Sequence, residues 1–523
     1  MLMHRMSSVS KLGVRRCFAA MFGAVLCCAW APLALAGGAM RAAGETPAGA
    51  DVVLIVENAR GWRDSVVGRG ITEVLSRSGA MHEIDSAWAE VSKGLGMDPK
   101  EAFDKLAGER IVFIGRWTET DGFVWAVRTL VDERTERRVR ETLAGSPRAV
   151  AGGRPVLMVE GGSFEMVVAR EGRQASVIMA PTEDASMLRS MVRAMEGRNE
   201  VERFRTTPVF RRLDDAFGRP AEMVLFARQP DGRGDWFGIA ARRDGERIEF
   251  GMALESGGGA PGNFADLPLW SKSAFELLAR DSIAVVFDMN LRMPGEGGRS
   301  PQRLLTLGFS AEGQSALGDR VAMLLRPGRH GPIEVAFAFE TNDAVLTARE
   351  GDQVLDRMMR QMRPGVQVVD AAAAQEPRRA RFAGAPPTAI RTVDLREEIG
   401  PELVGLWKIG PRLTWRTRIT DEQCNPGQKK GWWTVGLGGR ATEDLGRVLS
   451  DADCADEAGL PWVSLGLVRP RALFESARAT GLPIPPIFGD LERIEHVRWQ
   501  AARMSSTSVI GTGEIVVREQ PRK

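Results

Sequence analysis

Ile111–Trp117 and Phe123–Leu130 are strand-length apolar runs separated only by the polar stretch Thr118–Gly122. A connection that short can join antiparallel neighbours, whereas parallel neighbours need a crossover of a dozen or more residues. The same spacing recurs. Pro155–Glu160, Phe164–Arg170 and Gln174–Ala180 read as strands with glycine-bearing turns, and Ala221–Arg228, Asp235–Arg242 and Arg247–Leu254 read as a meander. Helix-period segments lie between them. Met81, Ile84, Trp88, Val91 and Leu95 fall on one helical stripe, as do Met187, Leu188, Met191, Val192 and Met195. Asp98-Pro99-Lys100-Glu101 offers an N-cap, a first-turn proline and a capping-box acid for a helix that stops at Gly108. A charged helix follows over 132–144. The expected fold class is therefore α+β, with repeated units of antiparallel or mixed sheet and packed amphipathic helices.

The first residues constrain destination rather than fold. Residues 1–16 are basic and free of acids, residues 17–36 are apolar, and the stretch closes on Ala34-Leu35-Ala36. That is the order of a secretory signal peptide, with cleavage expected before Gly37. A retained membrane anchor is the competing reading, since about 20 apolar residues can span a bilayer. Arg15-Arg16-Cys17-Phe18 is similar to part of a twin-arginine signal but lacks the usual preceding Ser or Thr. No later segment holds 18 uninterrupted apolar residues, so no transmembrane helix is expected in the mature chain. The expected localisation is periplasmic or secreted. Of the 5 cysteines, Cys17, Cys27 and Cys28 leave with the leader, and Cys424 and Cys454 remain. An oxidising compartment and an even count favour a disulfide between them, two free thiols being the alternative.

A chain of 523 residues accommodates roughly two to four domains. Expected boundaries follow composition: signal peptide 1–36, flexible mature N-terminus 37–50, first α+β domain 51–255, linker 256–264, second α+β unit 265–363, linker 364–387 and C-terminal α+β unit 388–523. The second unit opens on Asp281–Phe287, which repeats the acid-then-apolar pattern of Asp51–Val56. At an offset of 167 residues, Leu188, Met191, Val192 and Met195 fall on Leu355, Met358, Met359 and Met362. Ala344–Thr347 likewise resembles the strand Val177–Ala180, which together gives a weak internal repeat. In the last unit, Arg412–Thr420, Gly431–Gly436, Trp462–Val468, Ile494–Gln500 and Ser508–Val517 read as strands, and Arg469-Pro470 opens a helix.

Asp51–Glu57, AFDKLAGERIVFIGR (102–116), RPAEMVLFARQ (219–229) and RDSIAVVFDMN (280–290) resemble secreted bacterial proteins grouped as domain of unknown function 3352. The likeness covers about 51–363 and rests on strand patterns. It implies secretion and carries over no activity and no site residues.

Chemistry is narrowed mainly by exclusion. Seventy Lys+Arg against 68 Asp+Glu leave +2, which argues against a nucleic-acid partner. No G-x-S-x-G or G-x-x-x-x-G-K-[ST] occurs, and His82, His330 and His496 are scattered, so no catalytic residue, metal or cofactor is assigned. Gly257-x-Gly259-x-x-Gly262 is interrupted by Pro261 and reads as linker. Gly436-Leu437-Gly438-Gly439 reads as a tight turn before a helix. Trp432 and Trp433 should point to opposite faces of a strand, where one of them could stack on a ligand; the alternative is that one enters the core and the other packs beneath a loop. These features favour an exported, non-enzymatic, envelope-associated binding or scaffold protein whose partner is an unknown protein, glycan or lipid. The alternatives are a carboxylate-dependent hydrolase of envelope glycan, which needs two convergent acids, and an extracytoplasmic assembly chaperone, which needs a large apolar surface.

Overall fold

The computed structural model describes residues 38–63, 89, 91–118, 122–143, 147–151, 154–158, 164–171, 174–181, 186–195, 203–228, 235–244, 246–256, 264–289, 309–328, 333–362, 386, 388–399, 412–420, 430–453, 461–479 and 491–518. The chain divides into two compact units, Met1–Ala265 with Met504–Lys523, and Asp266–Arg503.

The first unit contains, in chain order, helix α1 (Gly38–Gly44), β1 (Val52–Glu57), α2 (Ala59–Arg63), α3 (Pro99–Leu106), β2 (Arg110–Thr118), β3 (Gly122–Val131), α4 (Glu133–Leu143), β4 (Pro147–Ala151), β5 (Arg154–Met158), β6 (Phe164–Glu171), β7 (Gln174–Pro181), α5 (Ser186–Met195), α6 (Pro208–Phe217), β8 (Met223–Arg228), β9 (Trp236–Asp244), β10 (Arg247–Glu255) and, from the far end of the chain, β19 (Ser508–Val517). The pairings run β4–β5–β6–β7–β3–β2–β1–β8–β9–β10–β19, all antiparallel. Strand β1 is apolar from Val52 to Val56, as suits a central strand with buried residues on both faces. Val53 and Ile55 enter a core with Val112, Ile114, Val224 and Phe226, covered by α1, α5 and α6. On the opposite face, Val131, Met166, Val168 and Val177 meet Val91, Leu95, α3 and α4. Asp98 caps α3 as its sequence predicts, accepting from the backbone N–H groups of Lys100 and Glu101.

The second unit contains α7 (Lys272–Ala279), β11 (Ala284–Met289), α8 (Ala311–Ala316), β12 (Leu317–Pro327), β13 (Ile333–Thr341), α9 (Ala344–Met362), β14 (Arg391–Asp394), α10 (Leu395–Ile399), β15 (Arg412–Ile419), β16 (Gly431–Leu437), α11 (Gly439–Asp453), β17 (Trp462–Val468), α12 (Pro470–Ala479) and β18 (Ile494–Arg503). Its order is β18–β17–β11–β12–β13–β16–β15–β14, again wholly antiparallel. Helices α7 and α11 bury Phe275, Leu278, Leu445 and Leu449 against one face, and α9 buries Leu355 and Met359 against the other.

The expected α+β fold of repeated, packed units is corrected by this topology. Large, wholly antiparallel sheet dominates, and the helices cover its faces. Strands expected in separate units pair directly: β11 with β17, and β13 with β16. Turn length fixes the direction of consecutive strands but says nothing about which distant strands become neighbours. The expected repeat also fails in detail. Ala344–Thr347 opens helix α9, because the Asp343 carboxylate accepts from the N–H groups of Val345 and Leu346, whereas Val177–Ala180 is strand. Met358 is 38% exposed while Met191, its supposed counterpart, is buried.

The expected flexible stretch 37–50 is corrected too. Residues 38–44 form α1, with Ala39, Met40, Ala42 and Ala43 in the main core. Small residues signal a loop by composition, but here they let a short helix approach β1 and β8 closely. The expected signal peptide lies outside the described residues, as do most of the linkers 256–264 and 364–387. Among the described residues, no helix is long and apolar enough to cross a membrane.

Candidate functional site

Trp432 and Trp433 take opposite faces of β16, as strand alternation requires, but both side chains are interior, at 0% and 1% exposure. Their expected role in ligand stacking is therefore corrected, because neither has a face free for a ligand. Trp432 belongs to the core under α11 and Trp433 to the core under α9. A central strand covered by helices on both sides leaves no exposed face for either ring. Trp433 packs against Phe309 and Phe339 with ring centroids 5.2 and 5.5 Å away.

Around Trp432 the structure assembles a cation–aromatic cluster. The guanidinium of Arg320, from β12, lies 4.8 Å from the Trp432 ring centroid and 5.6 Å from that of Trp270, and the two indoles are 5.7 Å apart. Arg320 donates to Asp453 Oδ1 at 2.7 Å, Asp453 Oδ2 at 3.0 Å and Glu340 Oε1 at 2.9 Å. Asp453 Oδ2 also accepts from Trp432 Nε1 at 2.9 Å. Burial disfavours the charged guanidinium, but the attraction of Asp453 and Glu340 outweighs it and holds Arg320 above the ordinary arginine value. One charge thus ties β12, β13, β16 and α11 together. An incoming anion would have to displace two carboxylates already in place.

A second cluster lies on the other face. Asp352 of α9 accepts from Trp415 Nε1 at 2.7 Å and pairs with Arg391 Nε at 2.6 Å. Arg391 is 4% exposed and also donates to the carbonyls of Ala389 and Pro386. Burial pushes the Asp352 carboxyl up, against the opposing pull of Trp415 and Arg391. A raised carboxyl is the property expected of a general acid. Here it lies in a core of Leu355, Met359, Leu413 and Trp433, held by donors from β14 and β15. Its chemistry is that of a staple joining α9 to the sheet.

In the first unit, Glu57 and Arg110 face each other across β1 and β2 and pair at 2.6 Å. The start of α1 lies against them: a Cβ placed on Gly38 would fall 2.5 Å from Glu57 Oε1 and from Arg110 Nη2.

The glycine turn is where the sequence predicts it. Gly438 takes φ +101°, and α11 follows at once. Glu334 accepts from the Ala441 N–H in the first turn, so a carboxylate already occupies part of this helix terminus. Asp51 accepts from the Trp117 N–H at 2.8 Å, a bond across the sheet rather than within a turn. Cys424 and Cys454 lie outside the described residues, as do His82 and His330; His496 is in β18. Among the described residues, no group of three or more His, Cys, Asp or Glu could hold a metal ion.

Sequence reasoning did not single out Arg320, Glu340, Asp352, Arg391 or Trp415. For two of them a signal exists. Ala322 and Leu324 of β12, and Ala336 and Ala338 of β13, face the α7–α11 core, and Arg320 and Glu340 share their strand parity. A charge at an inward position of an alternating strand needs a partner.

The depressed acids give a pH prediction. Burial raises Glu136, but Arg170 and Arg140 outweigh it and hold the carboxyl below its ordinary value of 4.5; Arg219 and Arg242 do the same for Glu249. A depressed folded value means stability that is present above the unfolded value and lost as pH falls through the folded one. The thermal midpoint should therefore fall as pH drops below about 4.5, and less steeply in Glu249→Gln, as calorimetry across that range will show.

No family model matches this chain, and no curated protein matches it. Among solved structures, crystal form IV of TP0453 is similar at 13% identity and a TM-score of 0.24, covering 42% of this chain and 83% of that one. Crystal form III matches at 13% and 0.24, covering 41% and 80%, and form I at 12% and 0.24, covering 41% and 79%. At that TM-score the likeness carries no functional argument.

Proposed function

We propose that this is an exported, non-enzymatic protein of the bacterial envelope that acts as a binding or scaffold module for another envelope component. The observation that carries the reading is the occupation of Asp352. A hydrolase would choose a buried carboxyl with a raised pKa as its acid, and this one is bonded to Trp415 and Arg391 inside a core. Arg320 is likewise taken up by Asp453 and Glu340. Export rests on the basic, apolar, A-x-A order of residues 1–36.

The test uses the full mature chain in sedimentation with purified envelope glycan, with vesicles of envelope lipid, and with envelope protein extract. Saturable retention in one of the three arms supports the reading. Retention in none, with native protein recovered from the cytosol, overturns it.

The same reading includes a Cys424–Cys454 disulfide. Its support is local: Asp453, one residue before Cys454, accepts from Trp432, eight residues after Cys424 in the chain. Closing a loop of that length contributes about 3–4 kcal/mol in the chain-entropy model. Titrating the unfolded, unreduced native protein should find no reactive thiol from this pair; two thiols would exclude the bridge.

A further inference from the structure

Two arginines of β15 share a single nearby carboxylate. Leu413 and Trp415 enter the core under α9, so Arg416 and Arg418 lie on the other face of the strand, toward α11, with Cα atoms about 6.6–6.8 Å apart. From α11, Glu443, Gly446 and Arg447 meet them at helical spacing. Gly446 is buried, and a Cβ placed on it would fall 3.3 Å from both Cδ and Nε of Arg418. A glycine inside a helix costs about 1 kcal/mol against alanine. Here it gives the Arg418 side chain room to lie across α11.

Anionic partners run short at this place. Asp444 is taken up by Arg326 and Arg447. Glu443 Oε1 accepts from Arg416 Nη1 at 3.3 Å and lies 3.8 Å from Arg418 Nη2, beyond hydrogen-bonding distance. Arg416 also donates through Nε to the Thr388 carbonyl at 2.9 Å. Arg418 Nε is buried and has no hydrogen bond among the described residues. Burial, and after it the like charge of Arg416, hold the Arg418 guanidinium below the ordinary arginine value against the pull of Glu443 and Asp451. Arg320, with two carboxylates in direct contact, is held above that value.

We propose that this face of the second unit is a phosphate site, with Arg416 and Arg418 as its ligands, Arg447 at its rim and Glu443 as the group that phosphate displaces. A planar carboxylate fits less well, and Glu443 shows why: its one oxygen reaches one guanidinium and stops short of the other. A phosphate ester brings up to two negative charges and three strong acceptor oxygens. Two guanidinium forks side by side match that set, each able to make paired bonds to phosphate oxygens. Glu443 is 49% exposed, so it returns to water at little cost. The inference supplies a ligand chemistry for the binding reading and rests on it only for the source, a phosphate-bearing lipid headgroup or a soluble phosphate compound.

The experiment is calorimetric titration of the full mature chain with inorganic phosphate, against chloride at matched ionic strength. Phosphate should bind saturably at one site. Arg418→Met should weaken it at least about tenfold, as loss of hydrogen bonds to a charged group does. Glu443→Gln should strengthen it roughly two- to fivefold by removing the competing carboxylate. Phosphate that behaves like chloride overturns the site, as does an affinity that Arg418→Met leaves unchanged. Should Arg418→Met fail to fold, the half-exposed Glu443→Gln decides, and an affinity equal to that of the unaltered chain overturns the site. Sedimentation with phosphatidylcholine vesicles, with and without phosphatidic acid, distinguishes the sources. Retention that requires phosphatidic acid and is lost in Arg418→Met assigns the site to a lipid headgroup; phosphate binding without such retention assigns it to a soluble compound. Failure of the phosphate titration sinks the site whatever the envelope sedimentation shows, and failure of that sedimentation leaves the phosphate titration standing.

Discussion

Replacing Asp352 with alanine should destabilise the second unit by roughly 3–5 kcal/mol. Two groups lose their partner at once. Arg391, which is buried, keeps its carbonyl acceptors at Ala389 and Pro386 but loses the carboxylate 2.6 Å from its Nε. Trp415 Nε1 loses the acceptor it has in a buried position. The control is the double variant Asp352→Leu/Arg391→Met. Removing both charges together should recover most of the loss, because a buried pair contributes little against well-packed apolar residues of similar volume. Urea unfolding of the four members of the cycle measures the coupling. A loss below 1 kcal/mol for Asp352→Ala would mean that the carboxyl is not a staple and would return it to the list of candidate acids.

Arg320→Met should cost a similar amount, roughly 3–5 kcal/mol, for the opposite reason. It leaves Asp453 and Glu340, both largely buried, facing each other without the cation between them. Arg320→Lys should recover only part of the loss. A lysine is a compact charge and cannot hold both oxygens of Asp453 and one of Glu340 while keeping its charge close to the Trp432 and Trp270 rings. If Arg320 were instead a ligand-binding cation, its loss would leave stability nearly unchanged and weaken binding. Denaturation and sedimentation of the same variant separate these two outcomes.

Local structure was largely legible in the residues, and long-range structure was not. The antiparallel pairing of β2 with β3, the Asp98 cap and the opposed directions of Trp432 and Trp433 follow from spacing and backbone geometry, and all three appear in the fold. The partnership of β11 with β17 joins residues nearly two hundred positions apart, and no local signal selects it. Both strands are short apolar runs, so either would fit beside many others. The Met stripes show the same limit: helix period places Met191 and Met358 on equivalent faces of their helices, but tertiary packing buries one and exposes the other. For the clusters, residue types were visible but convergence was not. Asp352, Arg391 and Trp415 come from α9, β14 and β15, and only the sheet order brings them together.

The most direct test is chemical. Purified envelope glycan, lipid and protein, each incubated with the mature chain, should be recovered intact, with the chain bound to one of them. Reproducible turnover of any of these, abolished by substituting a single Asp or Glu in a variant that still melts like the native protein, would contradict a binding role and establish an enzyme.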